Sequence, residues 1–227
     1  EMPLVRDAIL YAVKKGAVVL VASGNNGKKL ALPGNVILSN GKSYPYCPSI
    51  GAGNYNDYST CAIYPAVYGS QIDGMITVGS YDITSGQTSY FSNFSSDYVE
   101  ILAPGSKGNG GILSTVPASL SSTGYASIFN GSPIQGTSMA TPVASGAVAA
   151  AIALGQSRGY DMLPEQIEAL LKIGSPIRAQ FSGFSQAGRF LNLKSVINRL
   201  DNEMHLSISP ASGMPASRAI AWGLLKI

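Results

Sequence analysis

Apolar positions in residues 3–15 fall at Leu4, Val5, Ala8, Ile9 and Val13, the spacing of an amphipathic helix, and Gly16 follows as its stop. Residues 17–22 then read Ala-Val-Val-Leu-Val-Ala, an unbroken run that predicts a strand buried on both faces. Helix, glycine and buried strand together make one half of a βαβ unit. The strand runs into Ser23-Gly24-Asn25-Asn26-Gly27, residue types suited to turns, at the end of a strand where open parallel sheets bind their ligands. A second buried strand is predicted over residues 75–80, with others near 89–94, 99–102 and 112–116. Ala103-Pro104-Gly105 and Gly108-Asn109-Gly110-Gly111 read as turns. No Lys-Ser or Lys-Thr follows the second cluster, so a phosphate loop has no support.

In the second half, Gly136-Thr137-Ser138-Met139-Ala140-Thr141-Pro142 leads into an apolar run of small residues, 143–154, which predicts a loop entering a buried helix. Pro164 opens another helix through Leu171, and Asn192 is the predicted N-cap of a short helix ending at Leu200. From Asp201 the pattern dissolves into Ser, Pro and Ala. The expected fold class is α/β, with one domain over residues 1–200 and an extension, 201–227, of unstated role. Within the domain, residues 28–63 read as a long loop without periodicity, and at that length a loop is functional or stapled.

Composition narrows the picture. A chain of 227 residues can bury a sizeable core. Its charged fraction of 12% is about half the usual, and it holds 26 glycines, which fits a loop-rich enzyme that is secreted, periplasmic or at the cell surface. Fifteen basic against twelve acidic residues give only +3, with no dense basic cluster, so nucleic acid is not an expected partner. The longest apolar runs, 17–22 and 147–154, fall short of a bilayer span, and no membrane span is expected. The two cysteines, Cys47 and Cys61, both lie in the 28–63 loop. A disulfide between them would contribute about 3 kcal/mol in the chain-entropy model, and two free thiols are the alternative.

A serine at a helix N-terminus lies where unpaired N–H groups and the helix dipole favour negative charge. Ser138 is therefore a candidate nucleophile whose oxyanion would be stabilised in place, and the simpler alternative is a helix cap made by Thr137 or Ser138. Asn25 is likewise either a turn residue bonded to its own backbone or a side-chain donor to such an oxyanion.

Two separate stretches resemble one family. Val21-Ala22-Ser23-Gly24-Asn25-Asn26-Gly27 is similar to the oxyanion asparagine motif of subtilisin-like serine peptidases, and residues 136–142 are similar to their nucleophile motif. Between them Tyr64-Pro65-Ala66, Ile76-Thr77-Val78-Gly79, Phe91-Ser92-Asn93-Phe94-Ser95 and Ile101-Leu102-Ala103-Pro104-Gly105 recur in the family's order. The resemblance runs from about residue 3 to 200. It implies a three-layer subtilisin-like fold, a mostly parallel sheet flanked by helices, with the N-terminal part missing. It also implies that Ser138 attacks the carbonyl of a peptide or protein substrate while Asn25 and the Ser138 N–H hold the oxyanion. Ala22, Ser23, Gly24, Tyr64, Pro65, Ala66 and Thr137 are the implied substrate-binding set. Calcium is frequent in the family, but Asp57, Asp73, Asp82 and Asp97 are scattered, so no metal ligand and no cofactor is assigned.

The sequence departs from the family in two respects. Asn25 and Tyr64 are 39 positions apart, longer than the family's usual connection, and the added loop carries both cysteines. The family's base stands in a His-Gly-Thr context and its orienting acid in Asp-Ser/Thr-Gly, both ahead of the oxyanion asparagine. Neither motif is present, and the single histidine, His205, follows the serine. The expectation is that Asp and His lie upstream, in the N-terminal part of the same precursor, and that this chain alone is inactive. Two other readings stand beside it. One is an α/β-hydrolase using Ser138, Asp161 or Asp201, and His205, although Ala140 replaces the elbow glycine two positions after the serine. The other is a degenerate, non-catalytic peptidase scaffold.

Overall fold

The computed structural model describes residues 2–32, 36–37, 43–44 and 60–207, with backbone alone at 36–37, 43–44, 60–61 and 204–207. In chain order the elements are α1 (Pro3–Lys14), β1 (Val19–Ala22), β2 (Lys29–Leu30), β3 (Val36–Ile37), β4 (Ser43–Tyr44) and β5 (Thr60–Cys61). A 3₁₀ turn over Ala66–Gln71 precedes β6 (Met75–Asp82), β7 (Ile101–Ser106), β8 (Ser114–Thr115), β9 (Tyr125–Ala126), β10 (Ile128–Phe129) and β11 (Ser132–Pro133). Three helices complete the fold: α2 (Thr137–Ser157), α3 (Pro164–Gly174) and α4 (Leu193–Ser207).

The main sheet is wholly parallel, in the order β1-β6-β7, with Val19 opposite Met75 and Val78 opposite Ile101. Period-two alternation assigns its side chains to two layers. Val18, Leu20, Ile76, Val78, Ile101 and Ala103 face α2, α3 and α4, while Val19, Val21 and Met75 face α1 and the 3₁₀ turn. Phe181 and Phe190 extend the second layer over Leu102. Helices, parallel sheet and a second helical layer form the three-layer α/β arrangement expected from the sequence. At the base of the 28–63 loop, β2 pairs in parallel with β5. Cys47 lies outside the described residues and Cys61 is described in backbone alone, so the disulfide expectation falls outside them.

Several elements differ from the sequence reading. Strand β1 is half-buried rather than buried, because it forms one edge of the described sheet. Residues 89–94 form no strand beyond an isolated bridge at Phe94, since side chains of Ser92 and Asn93 bond to backbone in place of a ladder. Ala103-Pro104-Gly105 is strand, not turn. Pro104 is tolerated because β7 is the other edge, and Gly105 is needed because a Cβ there would collide with Ser80 Oγ and Gly136 O. Helix α4 continues to Ser207, past the predicted end at Leu200, with Leu200 fully buried and Arg199 paired to Glu203 at 2.7 Å in the extra turn. Helix α2 spans 21 residues and, by length and composition, could cross a membrane, because its Thr, Ser and Gly residues interrupt the apolar run without ending the helix. One of its faces, Ala140, Ala144, Ala147, Val148 and Ala151, is buried in the core.

Candidate active site

Two strand ends and one helix start meet here. Strand β1 delivers the loop of residues 23–28, and the carboxyl end of β7 receives the chain entering α2 through a bond from Gly136 N–H to Gly105 O of 2.9 Å. Gly136 is the N-cap, at φ 155° and ψ 164°, a region open to glycine. A Cβ on it would lie 3.3 Å from Asn25 Nδ2, so the glycine lets the Asn25 amide come close to the chain entering α2.

Thr137 and Ser138 occupy the first two helical positions, whose N–H groups have no carbonyl one turn back. The Thr137 N–H donates to Asn25 Oδ1 at 2.9 Å, and the Thr137 hydroxyl donates to the same oxygen at 2.9 Å. That hydroxyl also accepts from the Gly24 N–H at 3.2 Å. Oδ1 of Asn25 is engaged twice, and its Nδ2 lies next to Gly136, the residue that opens α2. Asn25 is thus bonded across the sheet to the helix start, in contrast to a turn residue bonded to its own backbone. Ser138 is exposed and lies inside the helix, so it is not the cap.

Thr137, expected among the substrate contacts, is fully buried and ties the loop of residues 23–28 to the start of α2. Ser23 and Ala66 are also fully buried. Ala22, Gly24, Tyr64 and Pro65 are half-buried and retain accessible surface. The two segments are neighbours: a Cβ on Gly24 would meet Ile63 Cδ1 at 3.2 Å, and Val21 packs in one apolar cluster with Tyr64. On another side of Ser138 opens a groove of about 350 Å³, lined by Ile112, Leu113, Met139, Pro142 and Val143 among others.

One buried residue had no role in the sequence reading beyond its place in a recurring segment. Asn93 is fully buried, and its Oδ1 accepts from Asn26 N–H at 3.1 Å and Lys28 N–H at 3.0 Å. Its Nδ2 donates to Ser23 O at 2.8 Å, and its backbone N–H donates to Gly24 O at 2.9 Å. Only its place in the Phe91–Ser95 segment hinted at it, because partners about 70 positions away leave no local signal.

The carboxylates do other work. Asp82 accepts from the N–H groups of Thr84, Ser85 and Gly108 at 2.9, 2.8 and 2.6 Å. Partial burial would raise its pKa, but these donors win and hold it at about 2. Glu100 is buried beneath the 3₁₀ turn, where desolvation outweighs the Thr77 N–H bond of 2.6 Å and pushes its pKa up to about 8. Among the described residues no three His, Cys, Asp or Glu side chains come together as a metal site, and Asp57 lies outside them.

The geometry also overturns the α/β-hydrolase reading. Asp201 pairs with Arg158, the residue that ends α2. A helix rises about 1.5 Å per residue, so this pair lies about 30 Å from Ser138. Asp161 follows three residues after Arg158, and His205 one turn after Asp201, so both belong to that distant end.

A family model, described as the subtilase family, matches residues 3–175. The chain belongs to the subtilase family. Membership carries serine-peptidase chemistry, and peptide or protein substrates, at the level of the family. Solved structures agree on the fold. A lanthipeptide protease is similar at 18% identity and TM-score 0.57, over 87% of this chain and 55% of that one. The prenylagaramide maturation protease PagA is similar at 22% identity and TM-score 0.56, over 86% and 54%. The A-subunit of the AB5 toxin from E. coli is similar at 17% identity and TM-score 0.55, over 88% and 56%. The chain therefore spans little more than half the length of these relatives. The comparison with curated protein sequences returns no match.

Proposed function

We propose that this subtilase chain supplies the nucleophile and oxyanion side of a serine endopeptidase centre, and that a His and an Asp from polypeptide outside these 227 residues complete it. Ser138 Oγ attacks the scissile carbonyl, and the resulting oxyanion is held by Asn25 Nδ2 and the Ser138 N–H at the positive end of α2. The acyl-enzyme then forms on Ser138 as the amine leaves, and water releases it. Without a base to take its proton, the hydroxyl of the chain alone is barely nucleophilic. The observation that carries the reading is the pair of hydrogen bonds from the Thr137 N–H and hydroxyl to Asn25 Oδ1, which fixes that amide against the start of α2.

The described surface offers the base an approach. The groove lined by Leu113, Met139, Pro142 and Val143 adjoins Ser138, and the exposed stripe of Gly146, Ala149 and Ala153 continues it along α2. An apolar segment seated there would bring an imidazole within reach of Ser138 Oγ. The half-exposed edge of β1 offers the same polypeptide a parallel pairing site.

Peptide cleavage by the chain together with the Asp- and His-bearing polypeptide tests this. Ser138→Ala should abolish turnover, and Asn25→Gly should lower kcat about 10² to 10³-fold, the cost of removing a side-chain oxyanion donor in subtilisin. Unchanged kcat in Asn25→Gly would refute the assignment of the donor.

A further inference from the structure

Resting on that reading of Ser138 and Asn25, we infer that Asn93 sets the position of the oxyanion donor, and so controls the rate of peptide-bond hydrolysis from beneath the site without touching substrate. Asn25 sits at the crest of a loop whose flanks are each tied to Asn93. On one flank, Ser23 O accepts from Asn93 Nδ2 and Gly24 O accepts from the Asn93 N–H, while the Ser23 hydroxyl donates to Asn93 O at 2.9 Å. On the other, the N–H groups of Asn26 and Lys28 both converge on Asn93 Oδ1. Asn93 bonds residues 23, 24, 26 and 28 and leaves 25 to the substrate side.

The chemistry of the amide explains why an asparagine stands there. Two converging N–H groups need a two-lone-pair acceptor, and the Ser23 carbonyl needs a donor within the same planar group. A carboxylate supplies only the acceptors, and a hydroxyl is too short to span both flanks. The loop hangs from β1, an edge strand of the described sheet, so the sheet restrains it from one side only. Asn93 and Thr137 together fix what the strand leaves loose: Asn93 sets the height of the loop, and Thr137 sets the rotation of the Asn25 amide. Displacement of a catalytic donor by about 1 Å costs on the order of 10²-fold in rate, so a loosened crest is felt in kcat before it is felt in binding.

The test is a double-mutant cycle in the enzyme assembled with its Asp- and His-bearing polypeptide, using Asn93→Ser and Asn93→Asp against Asn25→Gly. In the Asn25 background, each Asn93 variant should lower kcat about 10 to 100-fold with KM unchanged, and weaken a peptidyl boronate, which mimics the oxyanion, by a similar factor. In the Asn25→Gly background the same Asn93 variants should cost nothing further in kcat. Multiplicative losses in the double variants, or a rise in KM with kcat unchanged, would overturn the inference. Thermal unfolding monitors integrity, and loss of the fold in both Asn93 variants would assign the residue to stability alone and overturn it too. A wild-type assembly without any turnover would instead refute the peptidase reading on which this rests.

Discussion

The two long sides of α2 are built from the same small residues and have opposite fates. Ala140, Ala144, Ala147 and Ala151 are sealed against β6 and β7, while Pro142, Val143, Gly146, Ala149 and Ala153 are exposed. No charge interrupts either side over the 21 residues of the helix. A surface helix of a globular protein normally carries charge on its outer face, so a helix that is uncharged all round has a burial pattern for both faces written into it. Helix α1 repeats the contrast. Ile9 and Val13 pack near Tyr68 and Met75, whereas Leu4 is 86% exposed and Tyr11 65%. The sealed side of the molecule ends at Thr137, and the open side begins at Ser138. One hydroxyl thus marks the boundary between what this chain completes and what we propose another segment completes.

The contrast can be broken most severely by charge. Ala144→Asp should unfold the chain, because an unpaired carboxylate in the sealed face costs more than about 3 kcal/mol, read as a lost thermal transition. Ala149→Asp on the open face should leave the melting temperature of the isolated chain nearly unchanged, yet should prevent the activity that adding the second polypeptide otherwise gives. Equal damage from both would erase the distinction between the faces.

Titration sharpens the contrast from the other layer. Glu100 has a folded pKa raised to about 8 from 4.5, so the folded state binds more protons than the unfolded state between those values. Stability in chelator-containing buffer should therefore fall as pH rises from about 4.5 to 8, by no more than about 1.4 kcal/mol per pH unit. Glu100→Gln should flatten that slope, and an unaltered slope would show that another group is responsible. Thr137→Val is the smallest of these changes. Losing its hydroxyl strands Gly24 N–H and weakens the hold on Asn25, a cost of about 1 to 2 kcal/mol in denaturant titration.

The meeting of Ser138 and Asn25 at one place was legible because each lies in a contiguous motif with local structural signals: a glycine for the close approach, a serine at a helix start, an asparagine past a strand. The supports were not legible. Asn93 and Thr137 act through side-chain bonds to residues 65 to 113 positions away, and such pairings have no periodicity. The same distance effect misled the reading of two segments. Residues 89–94 carry β-strand composition but bond inward to a loop, and Pro104 and Gly105 carry turn composition but lie in β7. Burial of β1 and α2 was overestimated for a related reason: composition records that a face is apolar, and only the assembled layers reveal whether anything covers it.

On the proposed mechanism, Ser138 is a nucleophile in place but not activated by this chain alone. Labelling with a fluorophosphonate, read by intact mass and mapped to the modified peptide, tests it most directly. Modification of the isolated chain should be negligible, and modification of Ser138 should be stoichiometric once the Asp- and His-bearing polypeptide is supplied. Rapid labelling of Ser138 in the isolated chain, or none in the assembled one, would contradict it.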